Sequence, residues 1–156
     1  MSMSSLAISQ NNSLTETTTY KSGIKQATAY RVVKKHTAQF LKEYKLTCMQ
    51  WFTIGTVLDT GKKGIKISDL ASTLGTTLAY MTTKINLLES RGILVKKPHP
   101  SDARVKIVTI APDYKKTCKK IESGLRDYLR KVIYPHISRD ELATYIKVLY
   151  KLSTIK

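Results

Sequence analysis

The stretch from Ser68 to Gly92 constrains this chain more than any other. Ser68 can N-cap a brief helix, Asp69 to Leu74, in which Asp69 complements the dipole of the first turn. Gly75 ends that helix, and Thr76 or Thr77 can cap a second one that runs to Arg91 and stops at Gly92. In the second helix Leu78, Met81, Ile85 and Leu88 recur at steps of three and four and form one apolar face. Thr76, Ala79, Tyr80, Thr83, Lys84 and Leu87 fall on the opposite side, with no carboxylate before Glu89. Two capped helices this close together read as a helix-turn-helix.

The flanking sequence frames that unit. Ile65-Lys66-Ile67 is a short strand candidate. Ile93 to Lys97 and Arg104 to Ile110 are strand-like runs on either side of Pro98-His99-Pro100-Ser101-Asp102-Ala103. Proline cannot donate to a strand ladder, so the middle piece is expected to be the loop of a hairpin. Upstream, a helical pattern spans Ile24 to Tyr44, and Thr47-Cys48-Met49-Gln50 is a capping box opening a helix to about Thr60. Downstream, Pro112 suits a first helical position, and Tyr114, Cys118, Ile121, Leu125, Tyr128 and Val132 mark one face of a helix that Gly124 weakens locally. Ser138-Arg139-Asp140-Glu141 is a second capping box, opening a last helix with Leu142, Ile146, Leu149 and Leu152 expected inward. The fold expected is mainly α with a small β-hairpin wing. Residues 1–20 read as a flexible tail rich in Ser, Thr and Asn, 21–45 as an N-terminal helix, 46–110 as a winged helix-turn-helix, and 111–156 as C-terminal helices.

Charge narrows the class of partner. The 27 Lys and Arg against 11 Asp and Glu leave a formal charge of +16, all of the excess lying after the tail. Such a surplus opposes compaction and suits a polyanion. No stretch approaches the roughly 18 apolar residues that span a bilayer. The N-terminus has neither the basic region nor the apolar run of a signal peptide, so no membrane role and a cytoplasmic location are expected. Cys48 and Cys118 are too few for a disulfide scaffold, and with His36, His99 and His136 scattered no metal site is expected. No phosphate-binding glycine loop or Gly-flanked nucleophilic serine is present, so neither a cofactor nor an enzymatic reaction is expected.

Several fragments together resemble a known family. Leu46-Thr47-x-x-Gln50-Trp51, Ile67-Ser68-Asp69-Leu70-Ala71, Leu74-Gly75 and Ile85-x-x-Leu88-Glu89-x-Arg91-Gly92-Ile93 look like the MarR family. Asp102-x-Arg104-x-x-x-Val108-x-Ile110 resembles that family's wing signature. The resemblance implies a homodimer whose terminal helices act in dimerisation, reading near-palindromic operators in duplex DNA as a transcription regulator, here a repressor. By that pattern the second helix enters the major groove, Arg104 reaches the minor groove or its phosphates, and Asp102 orients that guanidinium. The expected DNA-contacting set is Ser68, Thr76, Thr77, Ala79, Tyr80, Thr83, Lys84, Lys96, Lys97, His99, Asp102 and Arg104. For Lys96, Lys97 and His99 phosphate contact and simple solvation are both open.

Many members of this family respond to small aromatic ligands or to thiol oxidation. Tyr30, Tyr44 and Trp51 could line a ligand cleft or be plain core. Cys48, at a helix N-terminus where the dipole lowers a thiol pKa, is the candidate redox sensor, against its reading as a small buried hydrophobe. The alternative function is a non-specific nucleic-acid packaging protein, which shares the charge but needs no recognition helix.

Overall fold

The computed structural model describes residues 17–155. Of the tail expected over 1–20, residues 1–16 lie outside the described residues, and Thr19 and Tyr20 are already helical. The described residues divide into two compact units, with the boundary between Lys35 and His36.

The first unit carries most of α1 (Thr19–Leu41), which begins five residues before Ile24, where the apolar periodicity starts. Tyr20, Ile24, Tyr30 and Val32 are exposed there.

The second unit opens with the end of α1, where Thr37 and Leu41 are buried, and a 3-10 turn at Lys42–Tyr44. Lys45 then takes a left-handed conformation (φ 53°), and Arg91 clamps the bend by donating to the carbonyls of Lys45 (2.9 Å) and Tyr44 (3.2 Å). The Thr47 capping box is formed in both directions: the Gln50 N–H donates to Thr47 Oγ1, and the Thr47 N–H to Gln50 Oε1. It opens α2 (Cys48–Asp59), whose Trp51, Ile54 and Val57 enter the core. Then come β1 (Ile65–Lys66), α3 (Ile67–Thr73), α4 (Leu78–Ser90), β2 (Leu94–His99), β3 (Asp102–Ile110), α5 (Lys115–Val132) and α6 (Arg139–Ser153).

The three strands form one antiparallel sheet in the order β1-β3-β2. Alternation fixes its faces: Leu94, Val108 and Ile110 are buried with Leu70, Met81, Ile85 and Leu88, while Lys97 lies across from Ile107 on the other face. Cys118, Ile121 and Leu125 of α5 complete the same core.

Five expectations are corrected. Ser68 is not a helix cap: Ile67 packs on the core, so the helix starts there, and Lys66 holds the cap position without a side-chain bond. Leu78, expected inward, is 55% exposed, because the first turn of α4 stands clear of the core that Met81 reaches. The loop expected over 98–103 shrinks to Pro100–Ser101, since β2 continues through Pro98 to His99. An edge strand tolerates proline because one row of its N–H groups has no ladder partner. Gly124 is more than a weak point: a Cβ there would lie 2.8 Å from Phe40 Cζ, so the glycine admits that ring. Finally α6 has no buried residue, and Ile146, Leu149 and Leu152 are exposed rather than inward.

Candidate nucleic-acid interface

Gly75 (φ 62°) turns the chain out of α3, and Thr77 caps α4 by accepting from the Tyr80 N–H at 3.2 Å. The choice between Thr76 and Thr77 thus falls to Thr77, while Thr76 reaches back to the Ala71 carbonyl at 3.5 Å. With Met81, Ile85 and Leu88 anchored at 0% exposure, the helix can only present its other face outward. Ala79, Tyr80, Thr83 and Leu87 are exposed on it. Thr83 donates its hydroxyl to the Ala79 carbonyl, which leaves the oxygen free to accept. Lys84 folds over the Tyr80 ring, its Nζ 5.0 Å from the centroid, so charge and aromatic face form one unit.

The one carboxylate of α4, Glu89, does not spoil this face. Lys96 of β2 lies 2.9 Å from Glu89 Oε2, its Nζ donates to Asn86 Oδ1 at 2.7 Å, and its backbone N–H donates to Glu89 Oε1 at 3.3 Å. The hydrogen bond from the Lys96 side chain, foremost, holds the Glu89 carboxyl below the usual glutamate value. Lys96 is therefore neither simply solvated nor held free for phosphate: it fastens the wing to α4.

The wing tip is shaped by a register break. Lys97 pairs with Ile107 and Pro98 with Lys106, but His99 pairs with Asp102, so residues 103–105 bulge from β3. Arg104 sits on that bulge with its side chain 92% exposed. Asp102 Oδ1 accepts both the Arg104 N–H (3.0 Å) and Arg104 Nε (3.2 Å). One Asp102 oxygen thus serves both the backbone and the side chain of Arg104, which leaves the terminal guanidinium nitrogens outward. His99 Nδ1 accepts from the Ser101 N–H at 3.2 Å and lies 2.8 Å from its hydroxyl, which stiffens the turn.

The structure thus gathers Thr76, Thr77, Ala79, Tyr80, Thr83 and Lys84 on α4 and its cap, and Lys97, His99, Asp102 and Arg104 on the wing. Ser68 stands apart, exposed in the first turn of α3. Reading by periodicity misses Asn86, whose role appears only once β2 is placed beside α4. It also misses two cavities, one of 990 Å³ beside Lys62, Lys63, Lys66 and His99, and one of 370 Å³ beside Lys62, Lys97 and Lys115. A third, of 590 Å³, is bounded by Trp51, Phe52, Leu58 and Leu74, with Asp59 and Glu122 at its edge.

Cys48 and Cys118 are both buried in the core, and burial pushes the Cys118 thiol up. Among the described residues no group of His, Cys, Asp and Glu could hold a metal ion, and no helix is long and apolar enough to cross a membrane.

The MarR family model matches residues 56–106, from the second half of α2 to the middle of β3. Over that segment, about a third of the chain, the sequence is similar to the MarR family. Solved structures extend the likeness over most of the chain. AbsC, a MarR family transcriptional regulator from Streptomyces coelicolor, is 14% identical with a TM-score of 0.74, covering 88% of this chain and 94% of its own. A cysteine-to-serine variant of MarR from E. coli, complexed with operator DNA, is 18% identical with a TM-score of 0.70, covering 87% and 99%. The transcriptional repressor CouR, bound to a 23-mer DNA duplex, is 19% identical with a TM-score of 0.77, covering 84% and 91%. CouR from Rhodococcus jostii RHA1 is also seen bound to p-coumaroyl-CoA. At these identities the likeness establishes the fold. Among curated proteins, none matches the sequence significantly.

Proposed function

We propose that the protein is a sequence-specific regulator of transcription that binds duplex DNA as a homodimer and represses from near-palindromic operators. The observation that carries this reading is the pairing of two surfaces in one MarR-type domain. The outer face of α4 has its one carboxylate engaged by Lys96, and the wing tip lifts Arg104 out on a bulge. A helix of that character fits a major groove, and an exposed arginine beside it fits the adjoining minor groove or phosphates. Lys84, Lys97 and His99 add charge and donors at the margin, where they position rather than specify.

The DNA complexes of CouR and of the E. coli MarR variant support the reading by likeness of fold. The terminal helices, 21–45 and 111–156, are proposed to make the dimer: α6 leaves Ile146, Leu149 and Leu152 exposed, an apolar row that a second copy would cover. The cavity beside Trp51 is the proposed seat of a small-molecule effector. Since Trp51 is the single tryptophan, its fluorescence should change when such a compound binds.

The reading is tested by selecting DNA from a random duplex pool with the purified protein. An enriched motif with two related half-sites about 10 base pairs apart supports it. A pool that stays random favours the packaging alternative. Repression is tested by a reporter placed behind the selected operator, whose expression should rise when the protein is removed.

A further inference from the structure

The proposed function uses α4 and the tip of the wing, yet much of the positive charge lies elsewhere. We propose that the outer face of the three-stranded sheet is a second binding surface for duplex-DNA phosphate, separate from the face of α4; this rests on the DNA-binding reading above.

Strand register puts the charges there. Ile107 of β3 pairs with Lys66 of β1 on one side and with Lys97 of β2 on the other. The next row along, Ile65, Val108 and Lys96, has Val108 fully buried, so the Lys66–Ile107–Lys97 row belongs to the opposite, outward face. With neighbouring strands about 4.8 Å apart, these two lysines stand on strands roughly 10 Å from one another.

The turn before β1 adds to them. Gly64 (φ 70°) lies so close to the sheet that a Cβ would meet Ile107 Cγ2 and the Val108 carbonyl, both at 2.6 Å. That close approach lays Lys62 and Lys63 beside the sheet, where Lys62 lines both the 990 Å³ and the 370 Å³ cavities. Lys115, at the start of α5, lines the smaller one with Lys62 and Lys97, and no carboxylate lines it. Asp69 is the single acidic residue lining the larger.

Lys62, Lys63, Lys66, Lys97 and Lys115 are all exposed, and among the described residues none is joined to a carboxylate by an ion pair. Five like charges along two hollows that share Lys62, with one acid among the lining residues, repel one another and gain most from a chain of phosphates that replaces their counterions. Lys96 makes the contrast: it is one strand position away, points inward and is neutralised by Glu89. The phosphate could come from the flank of the duplex held by α4 or from a second duplex, and one experiment separates them.

The test compares the full-length protein with the triple variant Lys62→Gln/Lys63→Gln/Lys115→Gln on random-sequence duplexes of about 20 and about 60 base pairs, two and six helical turns. Random sequence suffices because phosphate contact ignores base identity, so the result stands even if no operator is found. If the flank is bound, the variant keeps its affinity for the short duplex and loses roughly tenfold on the long one. Its salt slope on the long duplex then falls by about 2–3. If a second duplex is bound, the variant loses capture of a labelled duplex by protein already loaded on an immobilised one. Unchanged binding of the long duplex together with unchanged capture overturns the proposal. So does an equal loss on both lengths, which would place these lysines on the stretch that α4 already covers. The turn and helix-start positions make misfolding a minor concern, and an unchanged melting temperature of the variant excludes it.

Discussion

Arg104 is the residue proposed to matter for recognition while contributing little to the fold. Its side chain is 92% exposed, and among the described residues its polar partner is Asp102. Arg104→Ala should therefore leave thermal stability unchanged while weakening operator binding by roughly 1–3 kcal/mol; equal operator affinity in a titration would place the wing off the DNA. Glu89 acts the other way, holding structure together. Its carboxyl is lowered below the ordinary glutamate value, so its contribution is fully present above that value and is lost as pH falls through the lowered, folded-state one. The pair is partly exposed, 28% and 37%, so screening keeps the effect small. Glu89→Gln should lower the melting temperature at neutral pH by no more than about 2–4 °C. That difference should vanish in acid below the glutamate range, and a difference that persists there would deny Glu89 the role. Of these residues, Arg104 and Asp102 are legible from sequence because the wing signature puts them two apart. The Glu89–Asn86–Lys96 cluster is not, because it joins a helix to a strand and depends on which lysine of Lys96-Lys97 points inward.

At the scale of elements, local chemistry carries furthest where one residue dictates the backbone. Both capping boxes, at Thr47 and Ser138, form as their sequences require, and the stops at Gly75 and Gly92 fall at positive φ, as does Gly61 just after α2. The hairpin is less legible, since proline marks a loop unless the strand lies at an edge, and edge position is a property of the whole sheet. Two glycines with similar backbone make a test of the packing argument. At Gly61 (φ 59°) a Cβ meets nothing within 4 Å, whereas at Gly64 (φ 70°) it meets the Val108 carbonyl at 2.6 Å. Gly61→Ala should cost about 1–2 kcal/mol, the left-handed penalty alone. Gly64→Ala should cost roughly 2–5 kcal/mol, because overpacking of 1–3 kcal/mol is added to it. Equal losses in denaturant unfolding would mean the turn gives way and does not press on the sheet.

At the scale of the molecule, the apolar row of α6 is proposed to be covered by a second copy, and the +16 charge to meet duplex DNA. Expecting Ile146, Leu149 and Leu152 inward was right in period, yet none of them is buried within the single chain, because periodicity tells which residues share a face and not what covers it. A dimer mass is expected in sedimentation at micromolar concentration, and Leu149→Glu should shift it toward monomer; a monomeric wild type would remove the basis for two-fold recognition. Steep salt dependence is also expected, roughly 10³–10⁵-fold between 50 and 200 mM salt if about 6–10 cations meet phosphates, but a packaging protein would show the same. The ratio of operator to random-duplex affinity at one fixed salt concentration separates the two most directly. A two-fold regulator with α4 in successive major grooves should give a ratio of about 10³ or more, and Thr76→Ala, Tyr80→Ala or Thr83→Ala should shrink it more than they weaken random binding. A ratio near one, unmoved by those substitutions, would contradict the account.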